Sequence, residues 1–106
     1  MSYTRTRQMT AALALVDLAA QDLPEVYAWN ITAGAVDVQL ATQFNDPKAF
    51  AGLEAWAAFL GGADGPLRIQ RTPFGSPPDG TRIGIIGEHM GVDIRVWNVI
   101  EKSGRR

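Results

Sequence analysis

The sequence of 106 residues contains no cysteine, a single histidine and no long apolar run. Without cysteine there are no disulfides and no thiolate chemistry, which fits a cytoplasmic protein. Spanning a bilayer takes roughly 20 consecutive apolar residues. The stretch closest to a signal peptide, residues 11–20, is interrupted by Asp17 and is more typical of an amphipathic helix. We therefore expect a soluble, unprocessed, cytoplasmic protein with no membrane partner.

Cations are scarce through the body of the chain. Of the ten, five lie in the first seven or last five residues, whereas all eleven acids lie within residues 8–101, which carry a net charge of −6. A nucleic-acid surface needs clustered cations on one folded face, so nucleic acid is a disfavoured partner. We expect one domain, residues 1–106, in which residues 1–6 and 102–106 are disordered tails.

Motifs that carry catalytic chemistry are also missing. No serine lies in a Gly-x-Ser-x-Gly elbow, and no glycine pair matches a P-loop or a dinucleotide fingerprint. His89, with Glu88 and Asp93 nearby, suggests a metal site or a proton relay on paper. Metal sites usually have more ligands than one histidine and two carboxylates, and a hairpin tip would expose these side chains to water. We therefore interpret His89 as a turn residue in water. We expect no enzyme activity, no cofactor and no metal.

The first predicted helix, residues 7–22, is apolar on two nearly opposite faces. One face holds Met9, Leu13, Val16 and Ala20. The other face holds Ala11, Leu15 and Leu18. A helix that is apolar on two faces is usually buried on both. The second face meets either the other helix or another copy of the protein, which makes Ala11, Leu15 and Leu18 our predicted oligomer contact.

The second predicted helix begins at Asp46-Pro47, an N-cap followed by proline at the first helical position, and ends at Gly61. Phe59 lies off its apolar stripe, and we expect it to contact the first helix.

Residues 26–41 predict a hairpin about Ala33-Gly34, for which a four-residue loop is favoured over a two-residue one. Its apolar face then pairs Ile31 with Val36, Trp29 with Val38, and Tyr27 with Leu40.

Residues 81–100 predict a second hairpin with two possible registers. The turn His89-Met90-Gly91 favours a three-residue loop, whereas the apolar pattern favours an even one. The even register directs Ile83, Ile85, Ile94 and Val96 toward the core. It leaves Arg82, Gly84, Ile86, Arg95 and Trp97 outside, with Trp97 opposite Gly84.

The element order is therefore α-β-β-α-β-β-β. It predicts an α+β sandwich, an antiparallel sheet of about five strands with two helices packed on one face. The alternative is a sheet split into two hairpin-based layers.

The outward sheet face is the predicted partner-binding site, formed by Trp97, Arg95, Arg82 and Arg68. A tryptophan with arginines on an open sheet stacks single-stranded bases or anchors a protein partner, and the acidic body favours the protein. The alternative is that the 73–80 loop covers Trp97. Our first hypothesis is a non-enzymatic, homo-oligomeric protein-interaction module.

Two other functions stay open. One is a small-ligand-binding protein or minor enzyme with a pocket between helices and sheet, lined by Tyr27, Trp29 and Trp56. The weaker one is a nucleic-acid accessory protein acting through the arginines.

Three stretches carry a resemblance to a group of proteins. Leu23-Pro24 ahead of Trp29, the helix at residues 53–61 and the closing strand at 92–97 resemble small uncharacterised proteins of actinobacteria and their phages. The similarity covers most of the chain through core-forming motifs. It implies a high-GC source and a phage or mobile-element setting, and it transfers no activity, cofactor or catalytic residue.

Overall fold

The computed structural model describes residues 3–40, 48–74 and 80–101. Helix α1 spans Tyr3–Ala19 and helix α2 spans Lys48–Gly61, followed by a single 3₁₀ turn, Gly62–Asp64. The strands are β1 (Val26–Thr32), β2 (Ala35–Leu40), β3 (Gln70–Phe74), β4 (Gly80–His89) and β5 (Val92–Glu101). The predicted order and the α+β class are confirmed, and both helices contribute to one core on the same side of the sheet.

The sheet is mixed, whereas the sequence pattern predicted a purely antiparallel one. Its strand order is β1-β2-β5-β4-β3, and β2 and β5 are parallel neighbours. Helix α2 carries the chain back along the sheet, so β3 runs in the same direction as β2. Two antiparallel reversals then return β5 to that direction beside β2. All five strands therefore form one sheet, and the alternative of two hairpin layers is wrong.

Both hairpins close with two-residue loops. Ala33 and Gly34 have φ of 52° and 81°, and Met90 and Gly91 have φ of 55° and 77°, the signs that a type I′ turn requires at both central positions. The four-residue loop predicted for the first hairpin is therefore wrong. In the second hairpin the even register holds, because the twist of a type I′ turn matches that of the strands it joins.

Tyr27 departs from its predicted partner Leu40. The register of β1 against β2 shifts between Val26 and Ala28, so that Val26 pairs with Leu40. A bulge adds one unpaired residue to a strand and redirects its side chains. Tyr27 accordingly lies 74% exposed. The predicted pairs of Ile31 with Val36 and of Trp29 with Val38 are confirmed.

Helix α1 packs against the sheet with the very face that we expected to contact another copy of the protein. The face against the core holds Ala11, Ala14, Leu15 and Leu18. The exposed face holds Met9, Leu13 and Val16, at 55, 63 and 64% exposure. Small residues on the buried side let the helix backbone approach the sheet. The oligomer contact predicted at Ala11, Leu15 and Leu18 is therefore corrected, because these residues pack inside the protein.

The remaining helix boundaries agree in part with the sequence. Helix α2 ends at Gly61 as predicted, while its predicted start at Asp46-Pro47 lies outside the described residues. Helix α1 already begins at Tyr3, so the predicted disordered tail is wrong for residues 3–6.

Candidate interaction surface

Because both helices cover one side of the sheet, no described helix or strand lies over the other side. We call that side the outer sheet face. Strand alternation and register place on it Asp37, Gln39, Arg82, Gly84, Ile86, Arg95 and Trp97. The predicted placement of the last five is confirmed. The alternative that the 73–80 loop covers Trp97 concerns residues 75–79, which lie outside the described part of the chain.

Trp97 is held in place by three contacts. It pairs with Gly84 across β4 and β5, and a Cβ atom added at Gly84 would lie 3.5 Å from the Trp97 Cβ. Its indole Nε1 donates a hydrogen bond to Asp37 Oδ1 at 2.8 Å. The Arg82 guanidinium lies over the ring, 4.4 Å from its centre, in cation–π contact. These contacts hold the half-buried indole in one orientation.

Beside the indole lies a shallow hollow of about 210 Å³, which we call the Trp97 hollow. Gly84, which has no side chain, borders this hollow. Its lining residues are Gln70, Thr72, Arg82, Gly84, Ile85, Ile86, Arg95, Val96 and Trp97. The lining therefore combines two cations with one aromatic, three aliphatic and two uncharged polar residues, and it contains no acid.

Arg95 stands at the centre of the outer sheet face. It lies in register between Asp37 on β2 and Ile86 on β4, and Ile86 is 61% exposed. Within residues 3–40, 48–74 and 80–101 neither Arg95 nor Arg82 forms an ion pair. The centre of the face thus presents a cation and an apolar side chain to solvent.

Arg68 does not line the Trp97 hollow. It is exposed and precedes β3 by two residues, where it shares a groove along the sheet edge with Gln70 and Arg71. Of the four predicted partner-binding residues, the structure brings together Trp97, Arg95 and Arg82.

The end of the outer sheet face nearest the β4–β5 turn is acidic. Glu88 lies directly opposite Asp93, and both are exposed. Like charges placed opposite one another in a sheet repel. The face is thus divided into a cationic centre and an acidic end.

His89 is a packed residue, which corrects its interpretation as a turn residue in water. Its Nε2 lies 2.7 Å from Asp17 Oδ2, and its ring centre lies 5.5 Å from that of Phe59. Phe59, which we expected to contact α1, packs against the core to which Ala14 and Leu18 of that helix belong. Strands β4 and β5 are ten residues long, and the hairpin tip lies beside the last turns of both helices. His89 of β4 therefore contacts α1 through Asp17 and α2 through Phe59. No cluster of three metal-ligating side chains occurs in the described ranges.

The pocket hypothesis places Tyr27, Trp29 and Trp56 around a ligand. Trp29 and Trp56 instead pack edge to face, with ring centres 6.1 Å apart, and Trp56 Nε1 donates to the Pro24 carbonyl oxygen at 3.4 Å. The hollow beside them measures about 190 Å³, whereas pockets for small molecules typically measure about 300–1,000 Å³. Tyr27 is 74% exposed and does not line this hollow, so only two of the three residues border it.

Comparison with known proteins assigns the chain to no family. No protein-family model, curated protein or solved structure matches it. The class that the fold defines is an α+β protein with two helices on a five-stranded mixed sheet. In the described part of the chain neither helix is long and apolar enough to span a membrane. The resemblance to small actinobacterial and phage proteins stays a prediction.

Proposed function

We propose that this protein is a non-enzymatic protein-interaction module whose outer sheet face, centred on Trp97 and Arg95, holds a protein partner. The observation that carries the proposal is the fixed indole of Trp97, which is hydrogen-bonded to Asp37 and covered by Arg82. Beside it lies Arg95, which has no ion pair in the described ranges. Tryptophan and arginine are the residues most enriched among those that dominate binding energy at protein interfaces.

The composition of the face favours a protein over a nucleic acid. A phosphate backbone is held by a track of cations, whereas Glu88 and Asp93 interrupt the outer sheet face close to Arg95. Exposed Ile86 adds an apolar contact of the kind found at the buried centre of protein interfaces.

A second copy of the chain fits a different surface, the exposed face of α1. Met9, Leu13 and Val16 are spaced four and three residues apart, which is the seam spacing of a two-stranded coiled coil. Two such helices related by a twofold axis would bury identical seams against one another. We place the homo-oligomer contact there, and the mass measured by light scattering, with Leu13→Glu as the disrupting variant, tests it.

Photo-crosslinking tests the partner-binding function. A benzoylphenylalanine is introduced at Ile86 on the outer sheet face or, as a matched control, at Tyr27, which is comparably exposed on β1. After irradiation in an extract of the source cells, the Ile86 variant should yield one or a few defined adducts that the Tyr27 variant does not. Adding Trp97→Ala to the Ile86 variant should abolish them. Adducts that are identical from both positions, or that persist without Trp97, would contradict the proposal.

A further inference from the structure

We propose that the partner presents an acidic segment, and that one of its carboxylate side chains occupies the Trp97 hollow between Arg82 and Arg95. The inference rests on the proposed function and specifies the chemistry of the partner. It follows from the charge of the hollow, from what already covers the indole, and from where the neighbouring acids lie.

The charge of the hollow is unbalanced. Arg82 and Arg95 both line it, no acid does, and neither arginine forms an ion pair within the described residues. Asp37, the nearest acid in register, accepts the indole hydrogen bond of Trp97. Guanidinium groups bind carboxylates through paired, charge-assisted hydrogen bonds. A carboxylate of the partner would therefore supply the acceptor for the guanidinium groups of Arg82 and Arg95.

The indole is poorly placed to stack a nucleic-acid base. One face of the Trp97 ring lies under the Arg82 guanidinium, which closes that face to a stacking base. Base recognition on an open sheet needs a free aromatic face. The hollow, at about 210 Å³, suits a side chain better than a whole small molecule.

The acidic end of the face sets the direction of the segment. Glu88 and Asp93 would repel a chain of carboxylates running along the strands toward the turn. On the other side of the hollow, the lining residues Gln70 and Thr72 belong to the edge strand β3 and offer uncharged donors. The segment therefore crosses the strands from Arg95 over Gly84 and leaves the sheet at β3.

The test is an NMR titration of the full-length ¹⁵N-labelled protein with deca-glutamate, in about 50 mM salt so that charge interactions are not fully screened. Signals of the Gly84 and Arg95 amides and the Trp97 indole N–H should move, while those of α1 stay. Arg82→Gln and Arg95→Gln should each weaken binding about tenfold, the value of a hydrogen bond to a charged group. Arg71→Gln is the matched control, because this arginine stacks on Phe50 on the helix side of the sheet, and it should leave the affinity unchanged.

Three results would overturn the inference. The first is no binding of deca-glutamate, or binding that Arg95→Gln leaves unchanged. The second is tighter, Arg95-dependent binding of an oligothymidylate of the same length, which would assign the face to nucleic acid. The third is Arg95-dependent binding of deca-lysine. If deca-glutamate fails while crosslinking from Ile86 still captures a partner through Trp97, the acidic segment is refuted and the interaction function stands.

Discussion

Replacing Leu18 by alanine should destabilise the protein far more than the same change at Leu13. Both leucines lie in α1, but Leu18 is 1% exposed in the core and Leu13 is 63% exposed. Truncating a buried leucine costs about 2–5 kcal/mol in lost burial and residual cavity, and we expect about 3 kcal/mol here. In a domain of this size that lowers the melting temperature by roughly 15 °C.

The change at Leu13 is the matched control. It removes the same atoms from the same helix, and alanine is at least as good a helix former as leucine. In protein dilute enough to separate copies joined through α1, we expect a change within about 0.5 kcal/mol, typical of exposed positions. Urea titration followed by tryptophan fluorescence measures both, since Trp56 is 1% exposed and reports loss of the core.

The comparison separates two orientations of α1. If Met9, Leu13 and Val16 faced the sheet, the order of the two losses would be reversed. A loss at Leu13 equal to or larger than that at Leu18, measured in dilute protein, would refute the orientation of the helix and with it the exposed seam assigned to a second copy.

Three further stability predictions follow from local geometry. Met90→Gly should raise the free energy of unfolding by about 0.5–1 kcal/mol, because Met90 has a φ of 55° in a type I′ turn; a decrease in urea titration would contradict it. Asp37→Ala should lower the free energy of unfolding by about 1 kcal/mol, because the Trp97 indole N–H loses its acceptor. In Asp37→Asn the side-chain carbonyl can still accept, so an equal loss in that variant would argue against the hydrogen bond. Asp17 and His89 should couple by about 0.3–1 kcal/mol in a double-mutant cycle, since Asp17 is half exposed; zero coupling would mean that their contact adds no stability.

Local patterns predicted much of the fold because they act over short distances. Alternation in β4 and β5 requires Ile83 and Ile85 to share a face with Ile94 and Val96, and only an even loop allows it. That single constraint also placed Trp97, Arg95 and Arg82 on the outer sheet face. The position of these three residues was therefore predictable from residues 81–100, whereas Asp37, Gln70 and Thr72 join the site from other strands.

Features that depend on distant parts of the chain were not predictable. Two apolar faces of α1 had similar composition, and the choice between them depends on how closely the helix approaches the sheet. The parallel pairing of β2 with β5 depends on the path of α2, and the bulge at Tyr27 has no turn residue to mark it. The contact between His89 and Asp17 joins positions 72 residues apart, which periodicity within either element cannot reveal.

The most direct test of the central claim measures how tightly this protein binds the partner captured by crosslinking from Ile86. The dissociation constant of that complex is compared for the wild type, Trp97→Ala and Arg95→Glu. Each substitution should weaken binding by about thirtyfold or more, which corresponds to the roughly 2 kcal/mol of an interface hot spot. Because Arg95 is exposed, reversing its charge in Arg95→Glu should leave the far-ultraviolet circular dichroism spectrum unchanged. Affinities within twofold of the wild type in variants that remain folded would contradict the assignment of the outer sheet face as the binding surface.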